Sequence, residues 1–264
     1  MDTPDFRRWL LPALLMLALP AQAQRALLSH AETSAKLIRK NTVYDAPPGA
    51  SLLPGDIVAA GQRGLQIEWS NGALMALGPD SSVVLENNPG TPAVSLLRGW
   101  FKLAAVKPAN SQLSATAGQL SLRADQGSVI VHVAPDKSEL FVEQGKLPLT
   151  ETDRGAIDGP QTVGREQYAL RRGTQALQVM PRAPKLFIGE MPRAFFDPLV
   201  AIGNRVRPAE LAPVREANAA DDPDWRPTAQ ASQATAVLPA MPVTTTPPAA
   251  PKKRTSQAIN NTLF

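Results

Sequence analysis

The chain has 264 residues, a formal net charge of +4 and no cysteine. The missing cysteine excludes disulfides, thiolate catalysis, cysteine-ligated metals and lipid attachment to an N-terminal cysteine. The slight basicity does not point to nucleic acid; it suits solubility or contact with acidic envelope polymers.

Residues 1–23 read as a secretory signal peptide. Arg7 and Arg8 make a basic start, and Asp2 and Asp5 cancel their charge. Leu10, Leu11, Leu14, Leu15, Met16, Leu17 and Leu19 form a short apolar run, Pro20 breaks it, and Ala21-Gln22-Ala23 is a small-x-small cleavage site. Cleavage is expected between Ala23 and Gln24. The run is too short to span a bilayer, which takes about 20 apolar residues. No later segment approaches that length, so no transmembrane helix is expected after cleavage. Arg7-Arg8-Trp9-Leu10-Leu11 has some twin-arginine character. With no cofactor to load before export, the general secretory route is the expected one. The expected location is the bacterial periplasm or the exterior.

Residues 24–42 form a lead-in. Leu27, Leu28, Ala31, Ala35, Leu37 and Ile38 fit one face of a short helix. Residues 43–189 alternate apolar and polar side chains in short runs cut by glycine, the pattern of strands. Leu65, Ile67 and Trp69 share one face. Asn71-Gly72 is a hairpin signal, and Ala73 to Leu77 is the return strand. Phe101 and Leu103, Leu120 and Leu122, Val129, Val131 and Val133, Leu140 and Val142, and Leu147 and Leu149 continue the alternation. A last pair surrounds Val163 and Tyr168-Ala169-Leu170. With no β–α alternation, the expected class is all-β: stacked short strands and hairpins, solenoid-like or sandwich-like. Residues 190–207 connect this region to a Pro/Ala/Thr-rich stretch, 208–264, expected to be an extended, disordered tail. On it lie Trp225, among Asp221, Asp222 and Asp224, as a docking handle, and the basic cluster Lys252-Lys253-Arg254.

Catalytic patterns do not emerge. His30 and His132 are the only histidines, and no paired-histidine metal signature, G-x-S-x-G elbow or phosphate-cradling loop occurs. Glu68, Asp80, Glu86, Asp125, Glu139 and Glu143 are the carboxylates that a glycosidase pair would draw on. Glu68 and Glu143 fall on the polar phase of their strands, the set as a whole suits a solvated strand face, and Asp56 and Asp80 suit turns. Trp69 is in phase with the core. Trp100 is out of phase beside Gly99, and together with Lys102 it is the candidate for contact with a partner or a sugar ring; packing beneath a loop is the alternative. No catalytic, metal-binding or cofactor-binding residue is assigned, and no enzymatic activity is expected.

A series of segments resembles the FecR-type periplasmic domain. Leu53-Pro54-Gly55-Asp56-Ile57-Val58-Ala59-Ala60-Gly61 is similar to that family's "G-D-x-I-x-T-G". Residues 67–81, centred on Asn71-Gly72, resemble its "L-x-L-x-D-G-S-x-I-x-L-x-P-x-S" hairpin. Leu96-Leu97-Arg98-Gly99-Trp100-Phe101, Ala115-Thr116-Ala117-Gly118 and Leu140-Phe141-Val142-Glu143-Gln144-Gly145-Lys146-Leu147 resemble its later steps. The order holds over about residues 50–150. Asn71 stands for the usual Asp, Ala60 for Thr, and Gly127-Ser128-Val129-Ile130 matches "G-T-x-F" poorly. Met191 to Leu199 resembles a "P-R-x-x-x-D-x-L" segment found after this domain in some secreted relatives.

The resemblance implies a stack of short strands with turns at Gly55, Asp56, Asn71, Gly72, Gly99, Gly118 and Gly145. It also implies a role in envelope protein contacts or ligand sensing. Better-known members carry a membrane helix and a cytosolic sigma-regulating part, which this sequence is not expected to have. The expected partner is an envelope protein or a cell-wall polymer, and the oligomeric state is left open. Three other readings compete: a peptidoglycan- or polysaccharide-binding protein, a carbohydrate-active enzyme, and partial sigma signalling with a separate membrane partner.

Overall fold

The computed structural model describes residues 25–88, 90–105, 111–153 and 159–221. The cleavage site at Ala23–Gln24, Trp225 and the basic cluster at 252–254 lie outside them. The described chain is all-β with very little helix, as expected. No helix among the described residues is long and apolar enough to cross a membrane.

Eighteen strands make one sheet that curls into two layers. They are β1 (Ala26–Ala31), β2 (Ala35–Arg39), β3 (Thr42–Ala46), β4 (Ser51–Leu52), β5 (Ile57–Ala59), β6 (Leu65–Trp69), β7 (Ala73–Leu77), β8 (Ser82–Glu86) and β9 (Ala93–Ala105). Then follow β10 (Leu113–Ala117), β11 (Leu120–Ala124), β12 (Gly127–Ala134), β13 (Lys137–Gln144), β14 (Lys146–Glu151), β15 (Gln161–Gly164), β16 (Tyr168–Arg172), β17 (Gln178–Met180) and β18 (Ala212–Glu216). The first layer runs β4-β1-β6-β7-β9-β12-β13-β16-β17. The second runs β18-β3-β2-β5-β8-β9-β10-β11-β14-β15. Among the described residues, every pairing between these strands is antiparallel except β9 with β10, and an isolated parallel bridge joins Ala50 to Ala209. The chain visits the layers mostly in hairpin pairs, which gives the stacked character the glycine spacing predicts.

The core lies between the layers. Leu28, Ile67, Met75, Phe101, Leu103, Val131 and Val142 from the first layer meet Leu37, Val58, Val83, Leu122 and Leu149 from the second in one buried cluster. Period-two alternation puts the side chains of each strand on this face in turn; it was legible in the sequence at Ile67, Phe101, Leu103, Leu122, Val131, Val142 and Leu149, whereas Leu28 and Leu37 were expected on a helix face. Trp69 is among them, as expected.

Strand β9 serves both layers. Its residues 93–98 pair with β8 and its residues 99–105 with β7 and β12. The change of layer falls at Gly99, whose φ is +83°. A side chain there would meet Ser81, with Oγ at 2.4 Å and Cα at 2.8 Å from its Cβ. Gly99 therefore kinks a strand and does not close a turn, which corrects its expected role. Gly55, Gly118 and Gly145 do lie between strands. Asn71-Gly72 belongs to a three-residue loop, because Glu68 opposes Leu74 across the hairpin. Gly72 has positive φ and Asn71 does not; Asn71 caps the loop, its Oδ1 accepting from the Ala73 N–H at 3.0 Å.

Several boundaries differ from expectation. The lead-in contains β1 and β2, not a helix. Ala35 and Leu37 are buried while Lys36 between them is less so, and pairing of β1 with β6 and of β2 with β3 and β5 outweighs the loose i, i+3, i+4 spacing. The β domain thus begins near residue 26, not 43. Residues 190–207 pack on the first layer and are more than a connector, since Met191 and Phe195 are buried. The segment after Pro208 is not tail throughout. Strand β18 adds to β3 as an edge strand, where Pro213 is tolerated, and Asp221 is buried.

The turn at Gly55-Asp56 is pinned by charge. Asp56 accepts Arg39 Nε at 2.8 Å and Nη2 at 2.7 Å, and also the Leu53 N–H at 2.7 Å. The Asp56 hydrogen bond is the leading influence that raises the Arg39 guanidinium above its ordinary pKa. Asp56 is 1% exposed, so removing it leaves a guanidinium and an amide short of an acceptor. Asp56→Ala is expected to cost about 2 kcal/mol, measured as a lower urea midpoint. Arg39→Met should cost less, and the double variant should fall well short of the sum.

Candidate functional site

The outer face of the first layer is where out-of-phase residues gather. Cross-strand register lines up Gln66, Ala76, Lys102, Ile130, Phe141, Tyr168 and Met180 in one row. Beside it, His132 stands opposite both Trp100 and Glu139. A free sheet face would leave these side chains in water. Here a strap of chain covers them. It contains the short helix α1 (Lys185–Glu190) and 3-10 turns at Arg193–Phe196 and Gly203–Arg205. Pro184, Pro192 and Pro198 punctuate it and limit regular structure to single turns.

The strap seals the face with a second, smaller core. Phe187, Met191 and Phe195 are buried with Ala76, Trp100, Ile130 and Tyr168. The Phe187 ring lies 5.1 Å from both Trp100 and Tyr168, edge-on to the latter. Trp100 stacks on His132 at 4.1 Å with an 11° interplanar angle. Trp100 is 8% exposed and Lys102 fully buried. Neither offers the open partner contact expected of it, because the strap lies over them; of the two readings of Trp100, packing beneath a covering segment is the one observed.

Polar tethers fix the strap. Lys102 Nζ donates to the carbonyls of Phe195 at 2.7 Å and Asp197 at 2.9 Å, and pairs with Glu143 Oε2 at 2.8 Å. Glu68 accepts the N–H groups of Ile202 at 2.8 Å and Gly203 at 3.0 Å. Gln66 donates to the Val200 carbonyl at 2.9 Å. Farther along, Asp221 accepts both Nη groups of Arg215 and the Asn218 N–H, and lies 3.7 Å from Lys36 on β2. The Arg215 hydrogen bonds, first among several causes, hold the Asp221 carboxyl at about 2.

A cluster of ionisable side chains lies on this face next to the ring contacts of Trp100 and Phe187. Glu139 accepts Tyr168 Oη at 2.6 Å, and its other oxygen lies 2.8 Å from both His132 Nδ1 and Lys137 Nζ. Burial pushes the Glu139 carboxyl up, but the hydrogen bonds from His132, Lys137 and Tyr168 outweigh it and hold it at about 2, against an ordinary 4.5. Burial, then the Glu139 hydrogen bond, drives the Tyr168 hydroxyl well above its usual range. The folded value for Glu139 lies below the unfolded one. Its stabilisation is therefore complete above pH 4.5 and is lost as pH falls toward 2. The shift corresponds to roughly 3 kcal/mol. The urea midpoint of the native sequence is expected to drop through that window, and Glu139→Gln to show a shallower drop from a lower starting point.

The remaining candidate carboxylates form no pair on this face. Glu86 accepts from Ser95 at 2.6 Å, Asp125 pairs with Arg123 at 2.8 Å, and Asp80 occupies a turn with φ +52°. Among the described residues no group of three or more His, Cys, Asp or Glu could hold a metal ion. A groove of about 340 Å³ runs between strap and sheet, lined by His30, Gln66, Leu77, Phe195, Leu199 and Ile202. The tethers at Gln66 and Glu68 were missed in the sequence, where alternation marks them as outward-facing and gives no sign of a segment more than 130 positions away.

No protein-family model matches the chain, and no curated protein matches it. Among solved structures, two crystal structures of a "putative anti-sigma factor" from Parabacteroides distasonis ATCC 8503 are similar over 48% of this chain, with 10% identity and a TM-score of 0.41. The match spans 59% of that protein's own chain.

Proposed function

We propose that this is an exported, FecR-like β module of a bacterial cell envelope that binds a protein partner and catalyses no reaction. The observation that carries the reading is where the apolar surface lies. Six large hydrophobic residues stand out from the described surface, and five of them, Val179, Leu186, Phe196, Val200 and Val214, fall in the C-terminal segment that runs from β17 through the strap to β18. Exposed apolar groups concentrated on one segment mark interaction surfaces more often than solvated ones. The leader pattern of residues 1–23 supports export, and the family-like segments fall at the turns and the kink of the sheet.

Photo-crosslinking in cells tests this. A photoreactive residue at Leu186 or Phe196 should capture a defined envelope protein, and one at the exposed Arg123 should not. Equal capture from all three positions, or none, would remove the reading. Retention on purified peptidoglycan without any protein crosslink would favour the glycan-binding alternative.

A further inference from the structure

The first layer grips its strap as a peptide-binding surface grips a peptide. Three side chains make the grip, and their contacts with the strap are to main-chain atoms: Gln66 to Val200 O, Glu68 to the N–H groups of Ile202 and Gly203, and Lys102 to Phe195 O and Asp197 O. Bonds of this kind fix the direction and register of a segment without reading its side chains. Reading is left to the apolar positions between them, where Phe187, Met191 and Phe195 pack against Ala76, Trp100, Ile130 and Tyr168.

We infer that this face is a receptor for a peptide of short helical turns with aromatic and methionine anchors, and that residues 185–203 are its resident occupant, blocking it in cis. The inference rests on the protein-binding reading above and names the partner's chemistry and its regulation. The strap forms no β-ladder with the layer it covers; its own secondary structure is confined to short helical turns. Its release therefore breaks side-chain tethers and apolar contacts and leaves every strand pairing of the first layer in place. Lys102 keeps a partner when the strap leaves, because Glu143 lies on the same outer face, on β13, and its side chain is already 30% exposed. The strap's outward side bears Leu186, Phe196 and Val200, so a partner can engage the strap before displacing it. Being tethered at both ends, between β17 and β18, the strap acts at an effective concentration in the millimolar range. A free peptide of the same sequence must compete against that.

The test uses the full chain and a fluorescein-labelled synthetic peptide with the sequence of residues 185–203, read by anisotropy. Phe187→Ser with Phe195→Ser weakens the strap and leaves the receptor intact. This variant should bind the peptide at least ~10-fold more tightly than the native sequence, since the cis competitor is weakened. Adding Lys102→Met and Glu68→Gln should abolish the gain, and a peptide of scrambled order should bind none of the proteins. A folded strap variant that binds no better than the native chain, or that binds the scrambled peptide equally, overturns the inference. Should the double serine variant fail to fold, Phe195→Ala alone is read by the same criteria, with a smaller gain expected. Failure here with crosslinks from Leu186 intact would reject the receptor face and leave the protein-binding reading standing; loss of both would reject the two together.

Discussion

Gly99→Val is expected to cost about 4 kcal/mol, a large share of a typical domain's stability. Two effects add. At φ +83° an L-residue sits in the left-handed region, which costs about 1–2 kcal/mol, and more for a β-branched side chain. The new Cβ would also lie 2.4 Å from Ser81 Oγ and 2.8 Å from Ser81 Cα, and overpacking of this kind costs about 1–3 kcal/mol. Ser81 has little room to yield, because it is fully buried and its Oγ accepts the Trp100 N–H at 2.8 Å. The damage falls where one strand passes between layers, so both layers lose register together. A urea titration monitored by far-ultraviolet circular dichroism measures the cost. Gly99→Ala should fall between the native chain and the valine variant, and Ser81→Gly added to Gly99→Ala should recover part of the loss by removing the Ser81 Oγ and Cβ contacts, while the close Ser81 Cα and the φ penalty remain. A valine variant with a native midpoint would mean that β9 does not kink as described.

The strands were legible in the sequence because one face of each is buried. Ile67 and Trp69, Phe101 and Leu103, and Val129 and Val131 each repeat at period two, and each pair sits in the main core. The hairpin at Asn71-Gly72 was legible because Gly72 needs positive φ. The cover was not. A strand position such as Lys102 or Glu68 looks the same in sequence whether it faces water or a strap from far along the chain. Trp100 carried the one usable hint, a large apolar side chain on the polar phase, and the same hint fits an exposed handle. The lead-in was misread for a related reason. Over so few residues, Leu27, Leu28 and Ala31 satisfy a helical spacing by coincidence, and the pairing of β1 with β6 is a long-range fact. Strand β18 was hidden by composition: a proline- and alanine-rich stretch reads as tail until an edge strand such as β3 offers it a ladder.

Lys102 is where the strap's stability concentrates. Its ammonium is 1% exposed and satisfied by two strap carbonyls and the Glu143 carboxylate. Lys102→Met keeps the stem that fills the space between Ala76 and Ile130 and removes the donor. The carbonyls of Phe195 and Asp197 then remain buried without their partner, which costs about 1–3 kcal/mol each when nothing replaces it, and Glu143 loses its cation. The chain has an inexpensive response: the strap can lift and return those carbonyls to water. The expected result is therefore local. Strap docking weakens by about 2–4 kcal/mol, and the amides of Phe195, Ile202 and Gly203 exchange hydrogen faster by roughly the corresponding factor, 30-fold or more. Amides within β9, β12 and β13 keep their protection, because the ladders that hold them do not include the strap. Glu68→Gln should act in the same direction with a smaller effect, since the amide oxygen can still accept one N–H. Uniform loss of protection in both strap and sheet would instead make Lys102 a support of the whole core, and the cover would then be an inseparable part of the fold.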